Sequence, residues 1–306
     1  MNLNQIKTKH LGMGIVLFEN AINVNEPLII PFLQSLKDEA LKQDYTFIYD
    51  DEKKPLYAIN RSGHRYSLED IDKSCNHIMA FLNEEVNEDI KLFFQNCEDT
   101  MYQCLIRYVE IFPMVLPCLW WRTQGHVVAY GPGATFGLHC DNDINYSPGA
   151  EPDQQLAIRN VVGCLIYLNS SVDKESEIIE YEYIGGQINF PYAEVEYTPK
   201  SGDVIMFPSN YLATHEVKES KINNRYAYVG YFAQGSEDPD KGVKIRQPSN
   251  VIDSGQVWMP EIFKDYTSYI KNKYSNQKDI DRLLKPTRRD MTSHGTNKEL
   301  KKHDRQ

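Results

Sequence analysis

No apolar run in this chain is long enough to cross a bilayer: the longest, Ile111 to Trp121 and Val161 to Leu168, are short and carry proline or polar breaks. A membrane association through a spanning helix is therefore not expected. Positive charge is also in short supply, with 33 Lys+Arg against 43 Asp+Glu and a net charge of −10. That field disfavours travel along a phosphate backbone, so a general nucleic-acid binder is not expected. Six cysteines (Cys75, Cys97, Cys104, Cys118, Cys140 and Cys164) include no CxxC pair, in a chain too large to need covalent staples. Free thiols in a reducing cytoplasm are the simple expectation. The N-terminal stretch has a polar start, a short apolar segment at Met13 to Phe18 and no small-residue cleavage pattern, and reads as an entering strand rather than a leader. There is no internal repeat.

What is present is ordinary globular composition: 306 residues, 41% hydrophobic and 25% charged, with ample length for a core. The expectation is a single catalytic domain over 1–281, with a mainly helical support layer (1–119), an all-β core (120–235) and a C-terminal extension with a helix (236–281). In the first layer, Ile29, Phe32, Leu33, Leu36 and Ala40 recur at helical spacing, with Pro31 placed in the first turn. Ser67 to Asp70 forms a capping-box pattern ahead of Ile71, Cys75, Ile78, Met79 and Leu82, predicting a second helix. Ile90 to Val109 predicts a third, and Ile262 to Tyr274 a last one. The segment 282–306 holds eight Lys/Arg and three Asp/Glu and reads as a disordered basic tail.

From Trp120 the texture changes to short runs rich in Val, Ile, Tyr and Phe between Gly, Pro, Asn and Asp clusters. Strands are predicted at His126–Tyr130, Val161–Leu168, Gln187–Phe190, Glu194–Tyr197, Asp203–Phe207 and Tyr226–Phe232. Many short strands with turns between them suggest a jelly roll or barrel. The long turn-rich stretch from Asn142 to Ile158 is expected to act as a lid.

Two of the eight histidines sit where chemistry is expected. His139-Cys140-Asp141 places an imidazole and a carboxylate at i and i+2, so on a strand both face one way and Cys140 the other. His215 follows another predicted strand and a Pro208-Ser209-Asn210 turn, and Arg225 comes ten residues later. Two histidines and one carboxylate form a facial triad that leaves positions open for a chelating cosubstrate and dioxygen, the pattern of non-haem Fe(II). A guanidinium close to such a metal suits a ligand with a second carboxylate, as 2-oxoglutarate has.

In these residues the chain resembles the Fe(II)/2-oxoglutarate-dependent dioxygenases, in their prolyl-4-hydroxylase-like branch. The resemblance covers about Val127 to Gln234. It is carried by AYGPGATFGLHCD around the first two ligands, CLIYLN at Cys164–Asn169 and GGQINFP at Gly185–Pro191, then by PKSGDVIMFPSN at Pro199–Asn210 and HEVKESKINNRYAYVGYF at His215–Phe232. It implies an α+β fold with a double-stranded β-helix (jelly-roll) core on N-terminal helices, with a C-terminal helix and tail. It also implies His139, Asp141 and His215 as Fe(II) ligands and Arg225 as partner of the far 2-oxoglutarate carboxylate. Tyr167 is implied as a second partner, and Tyr130 is a further candidate lining the site. Val229 stands where some members carry a polar residue near the cosubstrate.

The other marked residues have plainer readings beside the functional one. Tyr130 and Tyr167 could be core aromatics, Arg159 could bind a substrate carboxylate or cap a loop, and Trp120 and Trp121 read as barrel core. Lys53-Lys54 and the Arg61 to Arg65 region read as a solvated basic loop that could border the site. The expected activity is hydroxylation of an aliphatic carbon in an amino-acid-type substrate, a peptidyl proline, a free amino acid or a related small metabolite. Succinate and carbon dioxide would be released. The alternatives are oxidative desaturation or cyclisation at the same centre, or a metal-holding jelly roll that only binds. The intact Asp141 disfavours halogenation. Tyr231 and the acidic body disfavour demethylation of nucleic acid.

Overall fold

The structure is a computed structural model that describes residues 6–60, 65–68, 75–78, 86–123, 125–142, 159–234 and 256–285. The expected lid falls almost wholly outside these residues, as do Arg61–His64 and most of the basic tail. The chain enters as a hairpin of β1 (Lys7–Gly12) and β2 (Ile15–Glu19). Helix α1 (Glu26–Asp44) follows, and it begins early enough to put Pro31 in its second turn. There the proline removes the hydrogen bond that its nitrogen would have donated to the Pro27 carbonyl.

The first third is less helical than its apolar spacing predicted. A separate antiparallel sheet is built from β3 (Tyr45–Tyr49), β4 (Pro55–Asn60) and β5 (Arg65–Tyr66), and Lys53 and Lys54 lie exposed in its first turn. The predicted helix over Ser67–Leu82 is overturned at its centre, where Cys75–Ile78 forms strand β6. This segment pairs antiparallel with Val127–Tyr130, so the ladder of a neighbouring strand outweighs the local 3.6-residue spacing. The third predicted helix stands as α2 (Glu88–Ile111), started by Asn87, whose Oδ1 accepts from the Asp89 amide at 2.7 Å.

The β-region runs through β7 (Trp121–Thr123), β8 (His126–Tyr130), β9 (Phe136–His139), β10 (Arg159–Tyr167), β11 (Ser171–Val172), β12 (Tyr183–Gly185) and β13 (Ile188–Phe190). It continues with β14 (Val195–Tyr197), β15 (Val204–Pro208), β16 (His215–Val217), β17 (Ser220–Ile222), β18 (Arg225–Gln234) and β19 (Gln256–Trp258). A large sheet has the order β1-β2-β15-β10-β18-β7-β19, with β8 beside β18 and β6 beside β8. A four-stranded sheet, β14-β13-β16-β9, lies against it, and β11-β12-β17 closes one end. The architecture is α+β, with facing antiparallel sheets forming a sandwich-like jelly-roll core.

Period-two alternation gives the large sheet two buried faces. Val162, Cys164, Ile166, Val204, Met206, Tyr226 and Tyr228 point outward into a core shared with α1, α2 and α3 (Ile262–Lys273). Leu165, Tyr167, Ile205, Phe207, Ala227 and Val229 point inward, toward Ile188, Phe190 and Val217 of the smaller sheet. Each large apolar side chain so buried contributes about 1.5–3 kcal/mol. The inward face also carries Tyr130 and Arg225, which lie directly opposite each other across β8 and β18.

After α3 comes α4 (Gln277–Leu283). The expected basic tail therefore begins inside structure, because Leu283 and Leu284 are buried in the main core. No described helix is long and apolar enough to cross a membrane.

Candidate active site

Strand β9 ends at His139 and strand β16 begins at His215, and the two residues are register partners. Their rings lie 4.4 Å apart. Asp141 lies just past the end of β9 in a turn, where a continuous strand had been expected. The turn is fixed by two hydrogen bonds: the Asn160 side-chain amide donates to the Asp141 carbonyl at 3.0 Å, and the Asn142 amide donates to the Ser209 carbonyl at 2.9 Å. Asp141 Oδ1 is thereby held 3.5 Å from His139 Nε2 and 3.8 Å from His215 Nε2. One ligand atom from each of the three residues lies within 4.8 Å of the others, a spacing that one metal ion can bridge. Cys140 is half-buried and directs its thiol to Asn142.

Both imidazoles are oriented from behind. Nδ1 of His139 bonds the Gly137 carbonyl at 2.7 Å and Nδ1 of His215 bonds the Ala213 carbonyl at 3.0 Å. A carbonyl can only accept, so each Nδ1 carries the proton and each Nε2 offers a lone pair toward Asp141. Phe190 and Phe207 pack on His215 with ring separations of 5.3 and 4.8 Å, and Phe136 stands edge-on to His139 at 4.3 Å. Burial pushes the His215 imidazole below its usual range. Asp141 opposes this, and His139 and Arg225 reinforce it. Neutral imidazole is the form that ligates a metal.

Deeper in the same sandwich, Arg225 is fully buried at the start of β18. Its guanidinium carbon lies 4.7 Å from the centroid of the Tyr130 ring and 5.5 Å from that of Tyr167. Tyr130 therefore supports the cation with its face. Tyr167 and Tyr183 are both fully buried beside Arg225, which donates toward their oxygens, and neither O–H finds an acceptor among the described residues. Burial pushes both phenols upward, opposed by the charge of Arg225, so both remain O–H donors. A permanent cation beside two buried phenol O–H groups fits an anionic group with several oxygens.

Several contributors went unrecognised in the sequence. Tyr183 lies two residues before the double glycine, directly after the acidic stretch Asp173 to Glu182. Gly186, at φ +64°, leaves the room that Arg225 and Tyr183 use: a Cβ there would stand 2.7 Å from Arg225 Cδ and 3.0 Å from Tyr183 Cε2. Gly163 does the same for Asp141. Its only signal was a glycine inside an otherwise apolar strand. Among the other marked residues, Trp121 is buried against Ala233, while Arg159 opens β10 opposite Gln234, at the edge of the described region. Val229 lies in the apolar core between the sheets.

Residues 125–233 match the family described as the 2OG-Fe(II) oxygenase superfamily. No curated protein sequence matches the chain. Solved structures similar to it include the viral collagen prolyl hydroxylase of Paramecium Bursaria Chlorella virus-1 with 2OG. The two are 13% identical with a TM-score of 0.40, over 74% of this chain and 98% of that one. Another is a Trichoplax adhaerens prolyl hydroxylase in complex with a hypoxia inducible factor oxygen degradation domain peptide fragment, at 17% identity and TM-score 0.45, over 77% and 88% of the two chains. A third is a Pseudomonas putida prolyl-4-hydroxylase, at 14% identity and TM-score 0.41, over 73% and 94%. Residues 125–233 are thus similar to the 2OG-Fe(II) oxygenase superfamily, whose members use Fe(II), 2-oxoglutarate and dioxygen.

Proposed function

We propose that the protein is a Fe(II)- and 2-oxoglutarate-dependent hydroxylase acting on an aliphatic carbon of an amino-acid-type substrate, either a residue in a peptide or a small metabolite. The observation that carries this reading is the pairing of a two-histidine, one-carboxylate cluster with a fully buried arginine in one sandwich. His139, Asp141 and His215 would hold Fe(II), and Arg225, Tyr167 and Tyr183 would bind the far carboxylate of 2-oxoglutarate. The bound iron with its cosubstrates supplies oxidative decarboxylation coupled to oxygen insertion into a C–H bond, releasing succinate and carbon dioxide.

The protein's own contribution is positional. The Gly137 and Ala213 carbonyls fix the histidine tautomers, so no proton must move before a metal binds. Phe190 and Phe207 exclude water from one side of the cluster. Arg225 neutralises an incoming carboxylate without needing a proton, and the two phenols donate to its remaining lone pairs. On the open side, Phe136 and Leu138 of β9 are solvent-exposed and form an apolar approach beside His139 that suits a substrate's aliphatic carbon.

Anaerobic addition of Fe(II) and 2-oxoglutarate should produce the weak visible charge-transfer band of a chelate. Oxygen should then yield succinate, stimulated by the correct member of a panel of amino acids and proline-containing peptides. Arg225→Ala should weaken 2-oxoglutarate far more than Fe(II). Absence of the band in folded, iron-loaded protein would overturn the cosubstrate assignment and leave a metal-holding binding module.

A further inference from the structure

We infer that Asn169 is the positioning residue of the cosubstrate clamp, a reading that rests on the function proposed above. Asn169 is 1% exposed and lies two residues after Tyr167, just beyond the end of β10. Its side chain serves three backbone groups. Oδ1 accepts from the Tyr226 amide at 2.9 Å, and Nδ2 donates to the Asn224 carbonyl at 2.8 Å and to the Tyr181 carbonyl at 2.9 Å.

Asn224 and Tyr226 are the two neighbours of Arg225, so one amide group grips the chain on both sides of the guanidinium's own residue. Tyr181 is two residues before Tyr183, so the third bond fixes the segment that delivers the second phenol. The first phenol, Tyr167, is tied to Asn169 through the intervening Leu168. The three groups proposed to meet the far carboxylate thus come from three separate segments, and one side chain touches or continues all three.

Local backbone bonds support the crossing without replacing it. The Leu168 amide donates to the Tyr226 carbonyl at 3.0 Å, and the Tyr183 amide donates to the Ser170 carbonyl at 3.0 Å. Helix α1 reaches the same point from outside: Lys37 Nζ donates to Asn224 Oδ1 at 2.9 Å, the Asn224 side-chain amide donates to Gln34, and the Tyr226 hydroxyl donates to Gln34 Oε1 at 2.8 Å. These bonds hold the Asn224 side chain and the Tyr226 ring. The Tyr183 segment also meets the chain ahead of Arg225 directly, since β12 pairs with β17 and the Asn223 side-chain amide donates to the Glu182 carbonyl at 2.8 Å; Asn169 adds bonds from that segment to both immediate neighbours of Arg225. An amide is the side chain that fits, because the site needs one acceptor and two donors within a single planar group.

The inference separates the far-carboxylate clamp from the metal cluster, because none of the three Asn169 bonds reaches His139, Asp141 or His215. The test uses the full chain and Mn(II), with titration of 2-oxoglutarate and of oxalate, which chelates a metal but has no far carboxylate. Asn169→Ala should weaken 2-oxoglutarate about tenfold while Mn(II) and oxalate stay within about twofold of wild type. Asn169→Ser, which keeps a polar group in the pocket at smaller volume, should show the same split and replaces the alanine variant if that one does not fold.

Equal losses for all three ligands would overturn the inference by assigning Asn169 a general structural role. Unchanged 2-oxoglutarate affinity in a variant, with tight binding in wild type, would overturn the inference alone. Failure of wild-type protein to bind 2-oxoglutarate in the presence of Mn(II) would overturn the functional reading and the inference with it.

Discussion

The carboxylate of Asp141 occupies the space that a side chain on Gly163 would take: an added Cβ would stand 2.7 Å from Asp141 Oδ2 and 2.9 Å from the Phe207 ring. Gly163 faces into the sandwich from the middle of β10, between Val162 and Cys164, which are buried on the other face. A single absent methyl thus lets the third candidate ligand reach the two imidazoles.

Gly163→Ala should therefore lower metal affinity by about 10–100-fold, the range seen when support around a ligand is altered. The fold should survive, because the displaced carboxylate is in a turn and can move. Titration with Mn(II) followed by circular dichroism separates the outcomes. Unchanged affinity would show that Asp141 does not need the position seen here.

Removing the carboxylate itself tests the cluster directly. Asp141→Ala leaves two neutral imidazoles facing each other with no anion between them, and two nitrogen ligands alone hold a hard divalent ion poorly. Metal-dependent succinate formation should be abolished, with secondary structure retained. Undiminished turnover would sink the assignment of this triad.

The two phenols, whose oxygens accept from Arg225 while their O–H groups find no acceptor, are predicted to matter more for affinity than for stability. A buried O–H without an acceptor costs about 1–3 kcal/mol, and removing the oxygen that accepts from Arg225 costs a similar amount, so the two effects nearly cancel in the ligand-free protein. Tyr183→Phe and Tyr167→Phe should each leave the melting temperature of the ligand-free protein nearly unchanged while weakening 2-oxoglutarate by roughly 10–100-fold, the loss of one hydrogen bond to a charged acceptor. A fall in both stability and affinity would mean that the bond from Arg225 to the phenol oxygen is itself structural in the ligand-free protein. Thermal melts with and without 2-oxoglutarate and Mn(II) read both quantities.

The cluster was legible in the sequence because the motifs around it, from AYGPGATFGLHCD to HEVKESKINNRYAYVGYF, stand in one family's order; a His-x-Asp spacing alone is common. His139, Asp141, His215 and Arg225 could be chosen before any geometry existed, and the structure brings the first three together. The strands of the core were legible for a related reason: inward and outward positions are both apolar, so β10, β15 and β18 read as strong runs. Tyr183, Gly163, Gly186 and the bracing by Asn169 were not legible as functional, since a tyrosine, a glycine or an asparagine acquires its role only from what lies across the sheet. The same limit explains Cys75–Ile78. Its spacing suits a helix, and only the neighbouring strand β8 gives it a ladder to join.

Far from the site, Glu110 of α2 predicts how stability should vary with pH. Burial pushes its carboxyl up, but hydrogen bonds from Lys273, Tyr274 and Tyr269 outweigh this and hold it below the usual 4.5. Lys273 Nζ lies 2.6 Å from Oε1 and Tyr269 donates to Oε2 at 2.7 Å, so this carboxylate anchors the end of α3 to α2. A depressed carboxyl binds its proton more weakly in the folded than in the unfolded chain. Its stabilisation is therefore complete above the usual carboxylate value and is lost as pH falls through the depressed one. Glu110→Gln should lower stability at pH 7 by about 1–3 kcal/mol, read as a shift of roughly 2–4 °C in melting temperature per kcal/mol. The gap between wild type and variant should shrink as the pH is taken below 4.5, because protonation removes from wild type the charge that the substitution removes outright. A gap that is constant from pH 7 downward would show that the charge on Glu110 contributes nothing and that its packing against α3 accounts for the effect.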